Sequence, residues 1–267
     1  GRKDTFFWAD RDLRKDDHLT LELKQALAKP AKVTFATGGP ASRNGDRLEN
    51  GVLEFSTDGT AWGRVDGGRM AARNRVASSL RDFGDALYVG TGTGGEVWSY
   101  DGSSWSLSNQ RYFTSNWNIM VSSASVLNGS LYVGTGSGIG CEVWRHDGSS
   151  WERLSEGGFN DANNRKASAM AVFLGQIFVG TYNRDTGCEI WRYDGVSWHQ
   201  VIDGGFGDAN NEDITSMAVF SGRLYVGTDN DVTGCELWCC DGPTWRQVNA
   251  DGFGDPANNE AVTSLAV

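Results

Sequence analysis

The chain has 267 residues, enough for one large all-β domain or two modest ones, and it carries 36 Gly, 4 Pro and 11 Trp. That balance suits many short strands joined by tight turns, with tryptophan as the main filler of the core. A formal net charge of −10 argues against a nucleic-acid role, because phosphate binding needs a surplus of Lys and Arg on one face. No run approaches the roughly 18 apolar residues of a membrane helix, so no membrane insertion is expected.

In chain order, residues 1–31 read as an N-terminal extension. Residues 32–267 read as a succession of strand-like runs separated by Gly, Asp and Asn turns. "KVTFATG" at 32–38 and "VLEFSTDGTAW" at 52–62 give the first, weaker set, with Phe55 where later sets carry Trp. Four clear sets follow. Their second runs are "ALYVGTG", "SLYVGTG", "QIFVGTY" and "RLYVGTD", and their third runs are "GEVW", "CEVW", "CEIW" and "CELW". Their closing turns are "SYDGSSW", "RHDGSSW", "RYDGVSW" and "CCDGPTW". The turn aspartates fall at Asp101, Asp147, Asp194 and Asp241, in steps of 46, 47 and 47. A unit of about 47 residues with four antiparallel strands is the pattern of a β-propeller blade, which buries its faces only by stacking on neighbours.

The expected architecture is therefore an all-β propeller of five blades: approximately 32–70 completed by the C-terminal "AVTSLAV" (261–267), then 71–113, 114–164, 165–211 and 212–260. In this arrangement a C-terminal first strand closes the first blade and removes both sheet edges. The alternative is four blades beside a separate N-terminal segment.

Residues that recur in every unit are packing residues on this reading: the Trp pairs, the Glu two places before each third-strand Trp, and the Thr closing each second strand. The equally spaced Cys141, Cys188 and Cys235 read as small buried fillers, while Cys239 and Cys240 break the repeat. The three histidines, His18, His146 and His199, have no recognisable Ser or Cys partner, and no acid stands apart from the repeated ones, so the chain reads as a non-enzyme.

Two kinds of site remain. The connections "GGFNDANN", "GGFGDANN" and "DGFGDPANN" repeat Asp161, Asn163 and Asn164 as Asp208, Asn210 and Asn211, then as Asp255, Asn258 and Asn259. Their oxygens suit calcium, with Asp161, Asn163, Asp208, Asn210, Asp255 and Asn258 as ligands, and suit turn-capping equally. Phe159, Phe206 and Phe253 read as anchors pinning these loops between blades. Residues that escape the repeat are the candidate ligand-binding set: Arg75, Tyr112, Trp117 and Asn118 before the inner strands, and Tyr182, Asn183, Asp229 and Asn230 on the rim after the second strands.

The repeats resemble those of bacterial and archaeal extracellular or cell-surface propellers, on the motifs GFGDxxNN, LYVGT, GCEVW and DGxSW. The DGxSW turns also resemble degenerate Asp boxes, which in sialidases are structural. "FFW", "DHLTLEL" and "LENGVLEFSTDG" within residues 1–70 resemble part of a discoidin-like (F5/8 type C) module of bacterial β-N-acetylhexosaminidases, covering about a quarter of the chain. Together these likenesses imply a secreted or surface-exposed, lectin-like protein that binds a glycan. A surface-protein partner is the alternative, a glycoside-active enzyme the second alternative, and calcium the candidate cofactor.

Overall fold

The computed structural model describes residues 76–92, 94–113 and 116–266, together with the backbone of four strands nearer the N-terminus. Those four are β1 (His18–Glu22), β2 (Lys32–Ala36), β3 (Val52–Phe55) and β4 (Gly63–Arg64), paired in that order in one antiparallel sheet. The second sheet is β5 (Ala77–Phe83), β6 (Ala86–Thr91), β7 (Val97–Tyr100) and β8 (Trp105–Leu107). The third is β9 (Asn118–Leu127), β10 (Ser130–Ser137), β11 (Val143–His146) and β12 (Trp151–Ser155). The fourth is β13 (Lys166–Phe173), β14 (Gln176–Tyr182), β15 (Ile190–Tyr193) and β16 (Trp198–Ile202). The fifth is β17 (Asp213–Phe220), β18 (Arg223–Asp229), β19 (Leu237–Cys240) and β20 (Trp245–Gln247). Each four-strand unit is an antiparallel meander in chain order, the bridges Gly136↔Lys166 and Tyr182↔Asp213 link the last three units into one twelve-stranded sheet, and the whole is an all-β, propeller-like fold.

Burial explains why the second strand of each unit abandons simple alternation. In β10 every residue but the first, and in β14 every residue but the two ends, is buried, because a neighbouring sheet covers each face. The outer strands β12 and β16 keep exposed residues at their centres. Tight hairpins join the first two strands of the third, fourth and fifth sheets. Asn128–Gly129, Leu174–Gly175 and Ser221–Gly222 all have positive φ at both positions, the pairing that matches strand twist.

Consecutive sheets approach so closely that the glycine of each "VGT" admits no side chain. A Cβ at Gly134 would collide with Ala167, one at Gly180 with Ile214, and one at Gly227 with Val262. Hydroxyl straps cross the same seams: Ser122 Oγ donates to Ala167 O at 2.7 Å, Thr215 Oγ1 to Val262 O at 2.6 Å, and Ser78 to Val121 O. Among the described residues the core is three clusters, one in each seam. Leu131, Val133 and Trp144 pack in the first, Val143, Ile177 and Val179 in the second, and Ile190, Ile214 and Leu224 in the third.

The first edge of β2 is paired along its length by β1, from His18↔Ala36 to Glu22↔Lys32. Residues 261–266 dock on β18, where Ala261 bridges Asp229 as Lys166 bridges Gly136 and Asp213 bridges Tyr182, and the Val262 amide donates to Thr228 O at 3.0 Å. The reason is local: Val262 fills the slot over Gly227 that Ile214 fills over Gly180. Among the described residues no strand pairing joins the fifth sheet to the first.

Candidate functional site

Each seam carries one buried polar network. Glu142 Oε2 accepts from Asn118 Nδ2 at 2.6 Å and from Trp144 Nε1 at 2.9 Å, while the Glu142 amide donates to Thr135 Oγ1, which donates to Asn118 Oδ1. Glu189 repeats this with Asn164, Trp191 and Thr181, and Glu236 with Asn211, Trp238 and Thr228. Burial raises the Glu189 and Glu236 carboxyls, opposed by the donated bonds from Trp and Asn. The recurrent Thr, Glu and Trp are thus joined, and the partner that sequence spacing did not reveal is the Asn. Asn118 belongs to this set and is 1% exposed, which places it inside the seam.

The loop phenylalanines complete the clamp. Phe113 stacks on Trp144 at 4.6 Å and meets Trp151 edge-on, Phe159 stacks on Trp191 at 4.9 Å and meets Trp198, and Phe206 stacks on Trp238 at 4.4 Å and meets Trp245. Each is held at left-handed φ, 54° at Phe113, 62° at Phe159 and 63° at Phe206, a local strain that the stacking offsets.

The Asp and Asn side chains of these loops face each other. Asp161 accepts from the Asn163 amide at 2.9 Å and from Asn183 Nδ2 at 3.0 Å. Asp208 accepts from Asn210, Asn230 and Thr233, at 2.8 to 3.2 Å. Burial alone would raise its carboxyl, yet these donors together hold it below its usual value. Asp255 accepts from Asn258 Nδ2 at 3.0 Å on each oxygen. The lone pairs a calcium ion would use are directed at amide and hydroxyl donors, and among the described residues no group of three or more His, Cys, Asp and Glu converges as a metal site. Asn183 and Asn230 are buried beside these loops and cap their own turns, accepting from the amides of Asp185 and Thr186, and of Val232 and Thr233.

The DGxSW turns are capped likewise. Asp147 Oδ1 accepts from the Ser149 and Ser150 amides at 2.8 Å, and these bonds, repeated at Asp101, hold both carboxyls well below the usual range. All five cysteines are buried and free; burial pushes the Cys141 and Cys188 thiols upward, away from reactivity.

Two surfaces remain after the packing residues are removed. On the first, Trp117 is 59% exposed and its ring lies beside Gly138. The Arg111 guanidinium sits 4.3 Å from the Tyr112 ring and 3.4 Å from Glu96 Oε1. The Tyr112 amide donates to Gly94 O, which ties this loop to the adjacent turn. Arg75 lies outside the described residues. The second surface is at the ends of the inner strands. Lys166 opens β13 and Asp213 opens β17, while Tyr182 closes β14 and Asp229 closes β18. Lys166 pairs with Tyr182, Tyr182 with Asp213, and Asp213 with Asp229 across the ladder. Lys166 Nζ lies 2.7 Å from Asp213 Oδ2 and 5.6 Å from the centre of the Tyr182 ring. Burial and the neighbouring Asp213 raise the Asp229 carboxyl to about 6. Sequence reading found Tyr182 and Asp229 and missed Lys166 and Asp213. The signal was available: the same first-strand position reads Met120, Lys166, Asp213 and Ala261 along the repeat.

These features define a propeller-like, repeat-built scaffold with loop and inner-strand surfaces that the repeat does not require. No protein-family model and no curated protein matches the chain. Solved structures do resemble it. PorZ, an essential surface component of the type-IX secretion system of Porphyromonas gingivalis, superposes with a TM-score of 0.54 at 16% identity over 88% of this chain and 36% of that one. The Aleuria aurantia lectin, solved with α-methyl-L-fucoside, gives 0.48 at 15% identity over 90% and 79% of the two chains. A xyloglucan-locus family-43 glycoside hydrolase of Bacteroides ovatus gives 0.42 at 12% identity, and there the chain spans 65% of its own length and 40% of the hydrolase's. The likeness is one of fold. It corrects the reading of the chain as a non-enzyme, because propellers similar to it include glycoside hydrolases. Asp213 and Asp229 each occur once at their positions, outside the set of acids that recur with the repeat.

Proposed function

We propose that the protein is a five-bladed, secreted or surface-exposed propeller that binds carbohydrate, its first blade being the β1–β4 sheet. The observation that carries this is Trp117. Trp144, Trp151, Trp191, Trp198, Trp238 and Trp245 pack into the seams, whereas Trp117 presents its ring to solvent beside Gly138, with Arg111 and Tyr112 on the preceding loop. A flat aromatic face edged by polar groups suits the apolar face and hydroxyls of a sugar. The similar structures add that this fold serves lectins and glycoside hydrolases alike. Among the described residues no helix is long and apolar enough to cross a membrane.

The test is a glycan-array screen of the purified chain, with calcium and with EDTA. Specific binding that Trp117→Ala abolishes supports the reading, and loss in EDTA adds the Asp and Asn loops as a calcium site. Absence of binding under both conditions overturns it. A protein-interaction scaffold is the second reading, favoured by Leu174, Val196 and Phe220. These exposed apolar residues lie on hairpin turns at the strand ends opposite the Trp117 loops.

A further inference from the structure

Two segments of the chain match one slot. In the fourth and fifth sheets the first strand pairs along the second, from Lys166↔Tyr182 to Phe173↔Gln176 and from Asp213↔Asp229 to Phe220↔Arg223. Its leading residue also bridges the second strand of the sheet before, as Gly136↔Lys166 and Tyr182↔Asp213. Ala261 makes that bridge to Asp229, so residues 261–266 stand as the first strand of a sheet beyond the fifth, yet among the described residues no second strand pairs with them. Beside them Phe253 is exposed. Asn164 and Asn211 accept through Oδ1 from Thr181 and Thr228, but the Oδ1 of their counterpart Asn259 accepts nothing among the described residues.

The first sheet carries a second strand of the right kind, and β1 already occupies its edge. "KVTFATG" aligns with "RLYVGTD", which sets Ala36 at the glycine register and Thr37 at the Thr position; further on, Phe55 and Trp62 stand where Trp191 and Trp198 do. β1 pairs here as His18↔Ala36 through Leu21↔Val33. The repeat fits residues 264–267 to the same register, since "SLAV" matches "AMAV" at 169–172 and "SMAV" at 216–219. The residue opposite the second-strand glycine is Ser79, Ser123, Ala169 or Ser216 in the described sheets, always small. The reason is space: a Cβ on Gly134 would come within 2.6 Å of Ser123 Oγ, and one on Gly227 within 2.8 Å of Ser216 Oγ. β2 has Ala36 at this register and β1 sets His18 opposite it, where residues 264–267 would set Ser264. Of the two segments, β1 is the poorer fit.

We infer that β1 is a stand-in strand: when residues 1–22 are drawn away, residues 261–267 take its place on β2 and close the ring through the first sheet. This rests on the five-bladed reading and goes beyond it. The occupant of the open fifth-sheet face is then the β2–β4 sheet of the same chain, because its repeat positions supply what that face lacks, Phe55 and Trp62 for Phe253 and Thr37 for Asn259. One position departs. Leu53 stands where Glu189 and Glu236 accept the asparagine Nδ2 in the other seams, so the closing seam is short of that bond and β1 competes with it. The exchange trades one short ladder on β2 for another and leaves the β2 edge covered in both states. A molecule that captures residues 1–22 would thereby close the ring.

The experiment uses the whole chain with paired cysteine substitutions, joined by mild oxidation and located by peptide mapping; the five native cysteines are buried and free. Ala36→Cys is combined with His18→Cys to report β1 in place, and with Ser264→Cys to report the exchange. Phe253→Cys with Trp62→Cys reports closure of the clamp. Each pair is made in the unaltered background and with Thr20→Pro and Leu21→Pro together, since adjacent amides face opposite edges of a strand and one of the two prolines removes a donor to β2. In the unaltered background the 18–36 pair should join at least fivefold faster than the 264–36 pair. The prolines should reverse that order and bring up the 253–62 pair. Loss of 18–36 joining with no rise in 264–36 joining overturns the inference. Joining of 253 to 62 while β1 is still in place also overturns it and leaves the five-bladed reading standing; its absence in both backgrounds overturns both. A 264–36 bond between two chains, seen as a dimer on a non-reducing gel, makes the occupant a second copy and overturns the inference. Should the prolines unfold the first sheet, Leu19→Ser with Leu21→Ser, which weakens β1 and spares its backbone, decides by the same readouts.

Discussion

Phe159 and Phe253 occupy the same place in two copies of one loop, and their surroundings are opposite. Phe159 is 6% exposed, clasped between Trp191 and Trp198 of the following sheet. Phe253 is 58% exposed, although its backbone is held at the same left-handed conformation, φ 54°. The loop conformation is therefore encoded locally, by Gly252, Gly254 and the Asn259 amide that donates to Gly252 O at 2.9 Å, and does not depend on the stacking. What the next sheet supplies is the energy that makes the strain worthwhile. A repeat protein built this way is a series of clamps, each made by two neighbours, and the last described clamp has only one jaw.

The largest expected effect follows from that contrast. Phe159→Ala removes a buried aromatic from between two indoles and should lower unfolding free energy by about 3–4 kcal/mol. Phe253→Ala should cost about 1 kcal/mol or less, since most of its ring is already in water. Chemical denaturation of both variants measures the difference. Equal losses would break the comparison and mean that Phe253 is covered in solution by a further sheet, the β1–β4 sheet being the one this chain carries.

The asparagine pair sharpens the same point. Asn164 Nδ2 donates to the buried Glu189 carboxylate at 2.7 Å, so Asn164→Ala leaves a carboxylate short of a donor and should cost about 2–3 kcal/mol. Asn259, its counterpart after β20, bonds only within its own loop through Nδ2, and Asn259→Ala should cost about 1 kcal/mol. A larger loss at Asn259 than at Asn164, in the same denaturation series, would contradict the one-jaw description.

Much of this was legible in the residues. Steps of 46 and 47 gave the unit, its four strands and the packing role of the tryptophans, because a residue the fold needs recurs with the fold. The seam asparagines were harder. Asn118 lies in "SNWN" with no GGF before it, and only the contact with Glu142, 24 residues on, shows that it is the same element as Asn164 and Asn211. The first strand of the first sheet was hard to see for a similar reason. "HLTLE", at residues 18–22, alternates as a strand should, but it lacks the "VGT" and "CEVW" neighbours that identified the other first strands. The inner-strand rim was half seen, since a charge at one repeat position gains meaning only when the ladder sets Lys166, Tyr182, Asp213 and Asp229 side by side.

A smaller contrast lies on that rim, in the last described sheet. Asp229 stands where the preceding sheet has Tyr182, and it faces Asp213, Asp231 and Glu212 with Lys166 as the opposing charge. Burial first, then these acids, raise its carboxyl from 3.8 to about 6 in the folded chain. A raised acid binds its proton more tightly when folded, so the stability it contributes is complete below pH ~4 and is lost as pH rises through about 6. Discounted for partial solvent screening, the loss amounts to about 1–2 kcal/mol. Asp229→Asn removes it: the variant should match the parent near pH 4 and exceed it by about that amount at pH 7. Melting curves at the two pH values are the check. A difference that does not change with pH would mean that Asp229 is ionised without penalty, and that the rim is more open to water than its burial implies.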